Sequence, residues 1–87
     1  MYVILVYDVE EKRVAKALKT CREYLNWIQN SVFEGELTEG KLKELKLRLK
    51  KILDKEVDSV LIFTARDVDI LKKEVIGREK NPLDTII

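Results

Sequence analysis

An aspartate closes the first apolar run of the chain. Residues Tyr2 to Asp8 read YVILVYD, and Asp8 is the first charge after six residues of strand-forming character. An acid at the carboxyl end of a buried strand is held rigidly enough to do chemistry. The same position also suits a strand terminator or a helix cap. Histidine is absent from all 87 residues. That removes Ser-His-Asp triads, Cys-His pairs and His-built zinc sites. Carboxylates, hydroxyls, Lys, Arg or an oxygen-held metal are left. One carboxylate makes a poor metal site, but Mg²⁺ keeps several waters and accepts one or two carboxylates. A twofold axis would pair Asp8 with Asp8 of the partner subunit. Tyr7 offers a phenol to a phosphate or base, or an aromatic ring to the core. Arg13, five residues past Asp8, offers a planar fork suited to phosphate, or is an ordinary solvated helix residue.

The charge is unevenly placed. The whole chain carries +1, yet Lys41 to Lys55 holds seven cations against Glu44 and Asp54, for a local +5. The remainder stands at −4. Lys43, Lys46, Arg48 and Lys50 lie in this stretch, and Lys16 belongs to a weaker strip from Lys12 to Arg22. Such asymmetry is what a surface tracking a phosphate backbone needs. A solvated Lys/Glu-rich helix carries the same pattern. Trp27 and Phe33 offer rings for base stacking or for packing. Cys21 falls on an apolar stripe and reads as core filling. No phosphate-binding glycine loop, dinucleotide fingerprint or RNA-recognition aromatic motif is present.

Elements must position these groups. Tyr2 to Asp8 is almost continuously apolar, which predicts a central strand buried on both faces. Val14, Ala17, Leu18, Cys21 and Leu25 recur at helical spacing within a helix over Glu10 to Tyr24. NWIQNSVFEGEL, Asn26 to Leu37, predicts two short strands turning at Asn30-Ser31, with Gly35 at a bulge or bend. Thr38 is placed to cap a second helix, about Glu39 to Leu53, striped by Leu42, Leu45, Leu49, Ile52 and Leu53. DSVLIFTA, Asp58 to Ala65, predicts another strand. A helical turn at Val68 to Lys73 and a short fifth strand at Glu74 to Gly77 follow. The order βαββαβ predicts an α+β, ferredoxin-like split with both helices on one face of an antiparallel sheet. The strand over Val60 to Phe63 is then an apolar edge, and a twofold-related copy would cover it, with the tail ending in Ile86-Ile87 as a candidate for pairing.

The length fits a single domain over 1–87, with a tail at about 78–87. The longest apolar run, Val3 to Tyr7, is far shorter than a membrane span, and nothing at the start reads as a signal peptide. A lone cysteine fits a reducing compartment. A cytoplasmic protein without a membrane partner is expected.

Four segments carry a family resemblance. YVILVYDV (Tyr2 to Val9) is followed by Arg13, WIQNSVFEGEL (Trp27 to Leu37), DSVLIF (Asp58 to Phe63) and EVIGREKNP (Glu74 to Pro82). Their order and spacing resemble the CRISPR-associated protein two family, the smaller subunit of the spacer-integration complex, over nearly the whole chain. The resemblance implies a ferredoxin-like homodimer in which Asp8 binds Mg²⁺, or another divalent ion such as Mn²⁺. It implies a metal-dependent endonuclease acting on single-stranded RNA, double-stranded DNA or both during spacer acquisition for antiviral defence. Asp8, Tyr7 and Arg13 would be the catalytic group. Arg13, Ser31 and Phe33 would meet nucleic acid on this resemblance, and Lys16, Lys43, Lys46, Arg48 and Lys50 on the uneven charge. Asn30 stands where some members carry a basic residue. A complex with the larger CRISPR integrase subunit, in which the dimer spans incoming DNA, is also implied. That architectural role needs no cleavage, so a non-catalytic DNA bridge is the alternative. A third reading, from a different class, is a stand-alone RNA-cleaving toxin or a ligand-binding regulatory domain on the same fold, since fold does not fix function.

Overall fold

A computed structural model of the chain describes residues 1–81. Strand β1 (Tyr2–Asp8) leads to helix α1 (Glu11–Arg22), then to strands β2 (Asn26–Gln29) and β3 (Val32–Glu36). Helix α2 (Glu39–Ile52), strand β4 (Ser59–Ala65) and a 3₁₀ turn over Val68–Ile70 follow. The sheet order is β2-β3-β1-β4 with every neighbouring pair antiparallel. This is the α+β, ferredoxin-like arrangement expected from the βαββαβ order.

Both helices cover one face of the sheet. Val3, Leu5, Tyr7 and Phe33 point from the sheet into the core. Ala17 and Cys21 of α1, and Leu42, Leu45 and Leu49 of α2, meet them there. The stripe of each helix is thus the face that packs, as its spacing demands. Thr38 caps α2, its Oγ1 accepting from the Lys41 amide at 3.1 Å. Burial in this layer pushes the Cys21 thiol up to about 12, so it is packing material with no reactive thiolate.

Three expectations change. β1 is not buried equally on both faces: Val3, Leu5 and Tyr7 are buried, whereas Tyr2, Ile4 and Val6 are half-buried. The helices α1 and α2 screen only one side of the sheet; the other, the open face, is only partly covered by the chain after β4. Gly35 makes no bulge, because it pairs regularly with Val3. The irregularity falls in β2, between Trp27 and Gln29. Gly35 serves close packing instead, since a Cβ there would stand 3.2 Å from Leu25 Cδ2. Finally, Glu74 to Gly77 joins no ladder. The chain after β4 folds across the open face, where Lys73 Nζ meets Glu34 Oε1 at 3.0 Å and Asn81 Nδ2 donates to the Trp27 carbonyl at 2.9 Å. Side-chain contacts to the inner strand β3 and to the edge strand β2 stand in place of a paired strand. Ile86-Ile87 and most of the expected pairing tail lie outside the described residues.

No helix among the described residues is long and apolar enough to cross a membrane.

Candidate active site and nucleic-acid surface

Strand alternation decides where the Tyr7-Asp8 pair points. Tyr7 faces the helices, and its ring lies 5.8 Å from that of Phe33, tilted by 30°. Burial raises the Tyr7 phenol above its ordinary value. Asp8 turns the other way, to the open side, and is exposed. Its Cα pairs with that of Ser59 at the start of β4. The Asp8 carboxylate makes no hydrogen bond or ion pair among the described residues. It does not cap α1 either, since the N-cap position is Glu10. Asp8 and the Tyr7 hydroxyl therefore lie on opposite faces of one strand.

The hairpin brings a second segment to the same end of β1. Asn30 adopts φ 46°, a left-handed conformation that asparagine tolerates. The Asn30 carbonyl accepts from Trp27 Nε1 at 2.9 Å, which steadies the turn. The Ser31 carbonyl accepts from the Tyr7 amide at 3.1 Å. Ser31 thus stands beside the end of β1. Phe33, two residues on, is 0% exposed. With its ring sealed between sheet and helices, no base reaches it in this packing, and its place is in the core.

Arg13 is already engaged. Its Nε donates to Asp58 Oδ2 at 2.5 Å, and its Nη2 donates to Asp58 Oδ1 at 3.0 Å and to Glu10 Oε1 at 2.7 Å. These carboxylates raise the guanidinium above its ordinary value. The Arg13 side chain is only 16% exposed and that of Asp58 is 0%. Arg13 is brought close in sequence to Asp8, but its fork is spent on protein carboxylates.

The expected nucleic-acid cations divide into groups. Arg48 forms a two-pronged bond to Glu23, at 2.9 and 3.0 Å, and lies 5.6 Å over the Tyr24 ring. It faces α1. Tyr24 in turn donates to Glu44 Oε1 at 2.6 Å. Lys43, Lys46 and Lys50 follow one another at i, i+3 and i+7, which places them on one flank of α2. They are exposed and make no ion pair among the described residues. Lys46 and Lys50 overhang a groove of about 1070 Å³ between α2 and β4, floored by Leu49, Leu53, Val60 and Ile62. Lys16 is exposed on α1.

Among the described residues, no three His, Cys, Asp or Glu side chains stand close enough together to hold a metal ion. At the end of β1 one chain presents one exposed carboxylate, Asp8, with no hydrogen bond or ion pair among the described residues. That donor fits a largely hydrated Mg²⁺ where a second copy brings a second carboxylate, and it does not fit a metal needing a full protein cage.

Two features escaped the sequence reading. Asp58 opens the DSVLIF segment, yet only the fold reveals what it holds. Its one sequence signal is an acid directly before an apolar strand. Glu34 is a buried acid on the open face, held by Lys73. Burial, followed by Glu34, pushes the Tyr2 phenol up to about 12. An acid in a β-branched and aromatic strand is the signal for such a pair.

The family described as CRISPR associated protein Cas2 matches residues 1–73. A CRISPR-associated endoribonuclease Cas2 from Thermotoga maritima is 51% identical over 80 residues, covering 92% of each chain. One from Dictyoglomus turgidum is 46% identical over 87 residues, the full length of both. A crystal structure described as cas2 superposes with a TM-score of 0.82 at 48% identity, covering 95% of this chain and 93% of its own.

Proposed function

This chain belongs to the CRISPR-associated protein Cas2 family, and on that premise we propose that it is a CRISPR-associated endonuclease that hydrolyses phosphodiester bonds. Single-stranded RNA is the first substrate to test, because full-length relatives carry the name endoribonuclease. Double-stranded DNA is the second. The observation that carries the reading is Asp8: an exposed carboxylate with no hydrogen bond among the described residues, fixed to the end of a central strand.

The working unit is a symmetric dimer. Leu61 and Phe63 of β4 are 55% and 56% exposed, and they share the open face with Asp8. A second copy that covers this face removes an apolar edge from water and draws the two Asp8 side chains toward one axis. Asp8 and Asp8 of the partner subunit would hold Mg²⁺ or Mn²⁺, which supplies charge neutralisation on the phosphate and acidifies a water. Asp8 fixes the place of reaction. The Lys43, Lys46 and Lys50 flank, with Lys16 on the same helical layer, draws in the backbone by charge. The cellular role is spacer acquisition in antiviral defence, in the cytoplasm, with the CRISPR integrase subunit as partner.

One observation favours a second reading. With no histidine in the chain and no cluster of three acids among the described residues, no general base is built in beside Asp8. A dimer that bridges DNA for the integrase without cutting it needs none. Cleavage of labelled single-stranded RNA and double-stranded DNA, with Mg²⁺ or EDTA and with Asp8→Asn beside wild type, decides between them. Metal-dependent cleavage lost in Asp8→Asn supports the nuclease. Retention of DNA by dimer and integrase without any cleavage supports the bridge.

A further inference from the structure

We infer that Asp58, through its fork to Arg13, is the positioning residue that sets where the Asp8 carboxylate stands; this rests on the reading of Asp8 as the working carboxylate. Three of the four hydrogen bonds that Asp58 accepts come from the segment just after Asp8. Its Oδ1 accepts from the Glu10 amide at 3.0 Å and from Arg13 Nη2 at 3.0 Å. Its Oδ2 accepts from Arg13 Nε at 2.5 Å and from the Asp54 amide at 2.9 Å. One fully buried carboxylate thus ties together the link from β1 to α1, the first turn of α1, and the connection from α2 to β4.

The place of Asp58 in the fold gives this clamp its bearing on Asp8. It directly precedes Ser59, whose Cα pairs with Asp8. The Asp8 carboxylate has no bond of its own among the described residues, so the backbone alone sets its position. That backbone is fixed on one side by the ladder and on the other by Glu10, two residues on, which Asp58 holds. α1 has no side-chain cap bond at its start, so the Asp58 clamp is what orders the exit from β1. Arg13 acts through Asp58: its planar fork satisfies both carboxylate oxygens at once, a geometry that lysine cannot copy. Outer partners that orient a metal-binding carboxylate typically change metal affinity or activity about 10–100-fold when removed.

The test uses the full chain with Asp58→Asn, Arg13→Gln and Arg13→Lys. Arg48→Gln serves as a control, because it breaks a comparable two-pronged pair away from Asp8. Backbone amide NMR reports the shifts of Asp8, Val9 and Glu10 and the hydrogen-exchange protection of Glu10. Broadening of the residue 6–10 signals by added Mn²⁺ reports binding at Asp8, and RNA cleavage gives kcat and KM separately. In folded Asp58→Asn and Arg13→Gln chains, the three amides move and Glu10 loses protection. The Mn²⁺ needed for half-broadening rises about 10–100-fold, and kcat falls with KM unchanged. Arg13→Lys recovers part of each effect, and Arg48→Gln leaves the three amide shifts, the Glu10 protection and the Mn²⁺ response unchanged. If Asp58→Asn does not fold, Arg13→Lys decides, since it keeps the charge and loses the fork. Folded variants with wild-type amide shifts, Glu10 protection and Mn²⁺ response would overturn the inference. If wild type shows neither Mn²⁺ broadening nor cleavage, the reading of Asp8 fails. The amide shifts and Glu10 protection then decide alone whether Asp58 positions residue 8.

Discussion

Arg13 and Asp58 lie 45 residues apart and meet fork to fork, Nε to Oδ2 at 2.5 Å and Nη2 to Oδ1 at 3.0 Å. The contact joins the start of the first helix to the start of the last strand, across the two halves of the split βαββαβ motif. A sequence holding these two residues far apart gives no sign that they touch.

Acid stability follows from this pair. Arg13, aided by the Glu10 and Asp54 amides and opposed by burial, holds the Asp58 carboxyl well below the usual carboxylate range. The folded chain therefore binds this proton more weakly than the unfolded chain does. The stabilisation is fully present above the unfolded value of about 3.9 and fades as pH falls toward the depressed folded value. Thermal melts from pH 7 down to pH 2 should show a midpoint that drops steeply below about pH 4 in wild type. Asp58→Asn should start lower at neutral pH and lose less on acidification. Glu23 and Glu44 are also lowered, by Arg48 and by Tyr24 respectively, and act in the same direction in both proteins. Equal slopes in the two proteins would remove Asp58 from the account.

Nucleic-acid affinity should divide the cations of α2. Lys43, Lys46 and Lys50 are free to meet phosphate, whereas Arg48 is held by Glu23. Each phosphate contact contributes about 0.7 to the salt slope for a single strand. Replacing all three lysines with alanine should lower the slope of log affinity against log salt for single-stranded RNA by about 2. Arg48→Ala should lower the melting temperature and leave that slope unchanged. A slope that follows Arg48 and ignores the lysines would place the phosphate path on the α1 side.

Phe33 should report on stability rather than on binding. Truncating a buried phenylalanine costs about 3–5 kcal/mol, through lost transfer energy and the cavity left behind. Phe33→Ala should show a loss of that size in urea unfolding, and Phe33→Leu a fraction of it. The RNA affinity of folded Phe33→Leu should match wild type. A selective loss of affinity at unchanged stability would return the ring to the binding surface.

Much of the fold was legible because it rests on local pattern. The stripe of Ala17 and Cys21, the leucine stripe of α2, the Thr38 cap and the Asn30-Ser31 turn are each written within a few residues. The site was less legible, because contacts between distant residues build it. Asp8 stands out as a type at a position, but its freedom from partners is a property of the fold. Arg13 as a type suggests phosphate, and only the arrival of Asp58 shows its fork to be engaged. Gly35 suggested a bulge, because the sequence hides the Leu25 side chain packed against it. Phe33 and Tyr7 carry surface chemistry in their types, and strand alternation turns both inward.

The open face should decide the oligomeric state and the site together. Leu61 and Phe63 project from an edge strand on the side that carries Asp8, away from α1 and α2, and both are exposed. Burying two such side chains against a second copy supplies a hydrophobic gain that charge would abolish. Leu61→Lys combined with Phe63→Lys should halve the mass seen by sedimentation, with far-UV circular dichroism retained because neither side chain packs in the core. Asp8→Asn should leave both the mass and the melting temperature unchanged, since its carboxylate makes no hydrogen bond or ion pair among the described residues. If two Asp8 side chains share one divalent ion, the monomeric variant should lose Mn²⁺ binding although its own Asp8 is intact. Mn²⁺ binding that survives in the monomer would assign the ion to one chain and end the case for a shared site.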